Sequence, residues 1–211
     1  MTLEQLESEL EKKVVTVASS EHPAHDLLHF RRVVKMAKFI AQAENARMDV
    51  VVPAAWLHDL VIVPKNDPRR AQASRLSSAA ARGFLNSIPG LSLDLEAISH
   101  AIEAHSFSAK IEARTLEAKI VQDADRLDGL GAIGVARCFA TAGLLRRPFY
   151  AAEDPFCESR MADDGEYTID HFYVKLFKTA ETLQTAAGRA EGLRRVESMK
   201  SFLGHLRLEI L

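Results

Sequence analysis

Cysteine and aromatic residues are scarce in this 211-residue sequence: there are two cysteines, and aromatic side chains make up 7% of the chain. Cys138 and Cys157 form no CxxC and cannot build a disulfide framework, so a reduced, cytoplasmic setting is expected. No apolar run approaches the ~20 residues that span a bilayer; the longest lies near Val50–Leu57. The N-terminal MTLEQLESELEKKVVTVASS has early acids and no unbroken apolar stretch, so it does not read as a signal peptide. An excess of one charge is also missing, since 27 basic and 29 acidic residues leave a net charge of −2. That balance exerts no global pull on nucleic acid or anionic membrane, and neither is expected as a partner. There is no fixed-period repeat and no low-complexity tract. With 47% apolar and 27% charged residues, the chain is long enough for one domain with a sizeable core. Oligomeric state is left open.

Helical periodicity dominates what is present. Thr2 and Gln5 form a capping-box pattern for a helix reaching about Ala18, with Leu3, Leu6, Leu10 and Val14 as its apolar stripe. A second helix is predicted from about Ala24 to Glu44. A third runs from Val50 to about Leu60, capped by Asp49, with Pro53 in its first turn. VPKNDPRRAQ reads as a loop. Further helices are predicted over Ser74–Ser87, from Ser92 to about His105, and from Thr115 onward. Gly129, Gly131 and Gly134 mark a break. Residues 146–167 hold two prolines, a DDG turn and no periodicity, and read as a surface excursion that could serve as a lid. Two closing helices are predicted at about 168–187 and 190–208. With no pair of alternating strands, the expected fold is all-α, a compact helical bundle.

Eight histidines draw attention by position. His58-Asp59 ends the apolar stretch AAWLHDL. A carboxylate there is costly without a partner, and a metal ion is the natural partner for adjacent imidazole and carboxylate. Successive helical side chains diverge by about 100°, so both reach one ion only where the helix ends or bends. A core histidine beside a helix-ending aspartate would give the same dipeptide. His25 and His29 stand at i, i+4, and Asp123, Asp125 and Asp128 interleave with Ile120, Val121, Ala124 and Leu127. His100 and His105 lie between these segments in ISHAIEAHSFS. The His25/His29 spacing also matches an HExxH metalloprotease pair, but Asp26 stands where the general-base Glu belongs and no third ligand is evident.

The ordered set His29 … His58-Asp59 … Asp125 resembles the H…HD…D signature of the HD-domain superfamily of metal-dependent phosphohydrolases. HDLLHFRRV, AAWLHDLVIVPKNDPRRAQASRLSS, AIEAHSFS, TLEAKIVQDADRLDGLGAIGVAR and DHFYVKLFK resemble its small single-domain bacterial branch over roughly residues 20–205. The resemblance implies one HD domain over 1–211, with a core of about 20–145, the excursion 146–167 and closing helices to 208. It implies His29, His58, Asp59 and Asp125 as ligands of one divalent ion (Mn, Fe, Ni, Zn or Mg), with open positions for water and substrate. It also implies a phosphohydrolase acting on a small phosphorylated molecule, a nucleotide by preference. Catalytic roles fall to Asp59, Asp128 and His105, and substrate contacts to Lys65, Arg69, Arg75 and His25. The branch that hydrolyses guanosine tetraphosphate carries a Glu-Asp pair shortly after its HD. Here Leu60-Val-Ile-Val-Pro64 follows, with no acid before Asp67. Two other readings stand beside hydrolysis: a nucleotide-binding regulatory module with little turnover, and a di-iron oxygenase with extra histidine ligands.

Overall fold

The structure, a computed structural model, describes residues 1–18, 26–63 and 67–211. His22, His25, Ala24 and Lys65 therefore lie outside the described residues. Among those described there are nine α-helices and no strand, and no single helix is long and apolar enough to cross a membrane. The all-α expectation holds. The chain divides into two compact units, Met1–Asp125 with Gln184–Gly188, and Arg126–Leu183 with Arg189–Leu211.

The first unit is built around α3 (Met48–Leu57). Val50, Val51, Val52, Ala54, Ala55 and Leu57 are fully buried, as only a helix apolar on every side allows. It packs against α1 (Leu3–Val15), α2 (Leu27–Ala43) and α5 (Leu95–His105), and α5 pairs with α4 (Ala73–Asn86). Thr2 and Gln5 close the predicted capping box on α1. Glu7 on α1 accepts from Lys38 of α2 and from the indole N–H of Trp56 in α3, tying three helices together. Asp26 caps α2 through the backbone N–H of His29.

Several boundaries differ from the sequence reading, among them the end of the third helix, which stops at Leu57 rather than about Leu60. The third helix starts at Met48 rather than Val50, so Asp49 lies in its first turn and Pro53 inside the helix. Burial of the whole element outweighs the backbone donor that Pro53 lacks. Asp94, not Ser92, caps α5, accepting from the backbone N–H of Ala97. The last element of this unit comes from α6 (Leu116–Asp128), up to Asp125.

The second unit contains α7 (Gly131–Leu144), a π-helical turn over Phe172–Leu176, α8 (Phe177–Glu181) and most of α9 (Ala186–Ile210). The two predicted closing helices are redrawn here, because the break falls at 182–185 and α9 runs through Gly188 unbroken. Residues 146–167 form no helix, as expected, but they are fastened. Arg160 makes a two-pronged ion pair with the fully buried Asp170, at 2.6 and 2.7 Å. Asp154 accepts from the backbone N–H groups of Glu158, Ser159 and Arg160. The N–H groups of Thr168 and Ile169 donate to the carbonyls of Pro148 and Phe149. Those ties fit a packed loop better than the swinging lid allowed for by the sequence.

Candidate metal centre

The end of α3 places the histidine–aspartate pair. The helix stops at Leu57, and His58 follows as its cap residue with helical backbone angles and no solvent exposure. Asp59 follows where the helix has ended, with its Oδ2 3.8 Å from His58 Nε2. His58 Nδ1 lies 2.8 Å from the carbonyl oxygen of Ala55, so it carries the proton and donates. The Nε2 of the neutral ring is therefore a bare lone pair.

That lone pair faces two carboxylates and a second imidazole nitrogen. His29 Nε2 lies 3.3 Å away, Asp59 Oδ2 3.8 Å and Asp125 Oδ1 3.9 Å. His29 Nε2 and Asp125 Oδ1 are 3.7 Å apart. Three donor atoms, from His29 on α2, His58 at the end of α3 and Asp125 on α6, thus lie within 4.8 Å of one another, all within the first unit, and Asp59 stands beside His58. In an octahedral shell with bonds near 2.1 Å, adjacent ligand atoms lie about 3.0 Å apart and opposite ones about 4.2 Å. The observed separations fall inside that range. Two imidazole nitrogens and a carboxylate oxygen this close need a proton or a cation between them, and His29, His58 and Asp125 fit a divalent ion.

Protonation agrees. Burial lowers the His58 pKa from 6.5 to about 4, with His105 and His29 adding to that effect and Asp59 and Asp125 opposing it. The ring is neutral at neutral pH, as a ligand must be. His105 ends α5, and its Nδ1 donates to the carbonyl of Ile102 at 2.6 Å. Its Nε2 lies 3.4 Å from Asp59 Oδ1, the oxygen that does not face His58. Burial alone would lower its pKa, but the hydrogen bond and charge of Asp59 outweigh it, and the pKa is raised. His58, Asp59 and His105 form a second close triad. It shares His58 Nε2 with the first, and one nitrogen lone pair serves one ion. His100 lies apart in role: its Nε2 accepts from the backbone N–H of Arg114, which removes it as a second-ion ligand.

The remaining expected site residues divide. Asp128 belongs to the second unit, where it is buried and accepts from Arg137 at 2.9 Å. Arg69 is exposed and holds Asp67 through its backbone and guanidinium, which pulls the Asp67 carboxyl down to about 2. Arg75 is exposed on α4. Lys65 and His25 are among the residues not described.

Gln122 and Gly188 were not singled out in advance, and the partners of Asp123 were not foreseen. Gln122 on α6 donates to the carbonyl of Ala104, the residue before His105, and accepts from Gln184. Asp123 is fully buried and accepts from the backbone N–H of Gln184 and both the N–H and hydroxyl of Thr185. Gly188 lies so close that a Cβ there would come within 2.5 Å of Asp123 Oδ2. A polar pair inside the apolar face of QDADRLD was the available signal for Gln122 and Asp123.

Comparison with known proteins places this architecture. The family model for the HD domain matches residues 27–130. The uncharacterized protein YpgQ of Bacillus subtilis is 29% identical over 201 residues, covering 93% of this chain and 90% of that one. The crystal structure of Bacillus subtilis YpgQ in complex with ADP superposes with a TM-score of 0.69 at 29% identity, covering 97% of this chain and 96% of that chain. An HD-superfamily hydrolase from Bacillus thuringiensis gives a TM-score of 0.72 at 28% identity, with 96% of each chain covered.

Proposed function

Because the chain belongs to the HD-domain superfamily, we propose that it is a metal-dependent phosphohydrolase cleaving a phosphate ester or anhydride of a small molecule, a nucleotide by preference. The observation that carries this reading is the close grouping of His29, His58 and Asp125, with Asp59 beside His58, in the first unit. Support for a nucleotide comes from YpgQ, whose structure holds ADP.

In this reading those four residues hold the ion. A bound divalent ion supplies Lewis acidity toward a phosphoryl oxygen and lowers the pKa of a coordinated water. The chain's own groups do the rest. The Ala55 carbonyl fixes the His58 tautomer, so its Nε2 stays available as a ligand. Asp59 uses one oxygen toward His58 and leaves the other to His105, which orients the carboxylate and offers a proton beside the reacting phosphate. Gln122 holds the end of α5 and thereby the position of His105. Arg69, Arg75 and Lys65 are the proposed contacts for substrate phosphate, with guanidinium groups suited to paired contact. Arg69 reaches a phosphate only by exchanging Asp67 for it. No proton transfer is assigned to Asp128, whose carboxylate is engaged by Arg137.

The test is a nucleotide panel with Mn²⁺, together with metal analysis of the purified protein. Turnover with one ion per chain is expected, and Asp59→Ala is expected to abolish both metal retention and hydrolysis. A metal-replete, fully active Asp59→Ala variant would sink the assignment. Nucleotide binding without turnover would point to the regulatory module, and two irons per chain to the oxygenase.

A further inference from the structure

The first unit also carries an open cleft of about 460 Å³ that plays no part in the proposed hydrolysis. Leu60 and Val61, from the segment after Asp59, line it together with Ala80, Gly83 and Phe84 of α4 and Lys13 from the last turn of α1. Its size lies within the range of small-molecule sites, roughly 300–1,000 Å³.

Two features of the lining bear on what it could hold. Gly83 sits in the interior of α4, where glycine costs about 1 kcal/mol relative to alanine. Its backbone is not left-handed, and a Cβ built on it meets nothing within 4 Å. Neither a turn nor a close packing contact requires glycine there; a side chain would instead take up cleft space. The second feature is Lys13. Its neighbour Lys12 pairs with Glu9 at 2.7 Å, and Lys38 pairs with Glu7 at 2.8 Å. Among the described residues no carboxylate pairs with Lys13, which is half-buried with its ammonium 5.8 Å from the centre of the Phe84 ring. A mostly apolar cleft with an aromatic wall and one cation that pairs with no carboxylate among the described residues is complementary to a ligand with an apolar body and one negative charge.

We infer that this cleft is a binding site for a small organic anion with an apolar or planar body, its acid group on Lys13 and its body against Phe84 and Leu60. The site is independent of the metal cluster and of the reading given to it.

Fluorescence titration of the intact, metal-saturated chain with 8-anilinonaphthalene-1-sulfonate tests the inference. One saturable site per chain is expected. Gly83→Leu, which fills the cleft while removing a helix-interior glycine, is expected to abolish it. Lys13→Gln is expected to weaken binding about tenfold, the equivalent of one charge-assisted contact, and Lys13→Arg to restore it. Thermal unfolding confirms that each variant is folded. Absence of a saturable site, or binding unchanged in both Gly83→Leu and Lys13→Gln, overturns the inference. Loss in Gly83→Leu with Lys13→Gln unchanged overturns the assignment of an anion. Should Gly83→Leu fail to fold, the contrast between Lys13→Gln and Lys13→Arg decides.

Discussion

A carboxylate with no solvent exposure must find donors within the protein, and Asp123 finds three, all in Gln184 and Thr185. Removing it leaves those donors without their acceptor at a penalty of about 1–3 kcal/mol each, partly relieved by water. Asp123→Ala is therefore expected to lower the unfolding free energy by about 3 kcal/mol, read from the denaturant midpoint; a loss below ~1 kcal/mol would contradict this account. Asp123 also marks the limit of what the sequence makes legible. His58 and Asp59 were readable because adjacency at a helix end is a local property. Asp125 was readable because the spacing of the family motif carries it. Asp123 looked equally out of place in the same helix, yet its reason lies 61 residues downstream, beyond any periodicity. His105 is the intermediate case. Its position in the chain drew notice, but only the packing of α5 against α3 brings its Nε2 to Asp59.

Among the elements, helix interiors were legible and their ends less so. α3 begins before its predicted cap because burial on all sides decides its extent, and a proline inside it is tolerated for the same reason. The region 146–167 lacks periodicity, and sequence patterning has no signal for a loop fastened by side chains. Its order rests on the Arg160–Asp170 pair. Burial would raise the Asp170 pKa, but Arg160 and the backbone N–H of Asp163 hold it below the usual carboxylate range. Arg160→Ala leaves a buried carboxylate uncompensated, a change that typically costs about 3–5 kcal/mol. The expected result is rapid proteolytic cleavage within 146–167 at protease levels that leave the parent chain intact. An unchanged digestion pattern would show that the backbone ties to Pro148 and Phe149 suffice.

For the molecule as a whole, two of the three buried histidines, His58 and His105, act on stability in opposite directions. His58 has a folded pKa of about 4 against 6.5 when unfolded, so as pH falls from 6.5 toward 4 the unfolded chain takes up a proton the folded one refuses, and stability drops. His105 has a raised pKa, so as pH climbs above 6.5 the unfolded chain releases a proton the folded one keeps, and stability again drops. The metal-free protein is expected to melt highest near pH 6.5. Below pH 4 the depressed carboxylates, including Glu191 at about 2 beside Arg194 and Arg195, steepen the acid limb. Melting curves in chelator across pH 2–9 check this, and His105→Asn is expected to flatten the alkaline limb. A curve that rises monotonically with pH would refute the assignment.

The four proposed ligands lie at residues 29, 58, 59 and 125, so their donor atoms meet only after α2, the end of α3 and α6 have docked. An ion held there would be a crosslink that closes last. Interactions absent from a folding transition state leave the folding rate nearly untouched and appear in the unfolding rate. Loading the centre would accordingly prolong the lifetime of the folded chain far more than it hastens its formation, making the ion a clasp on residence in the native state as well as a reagent.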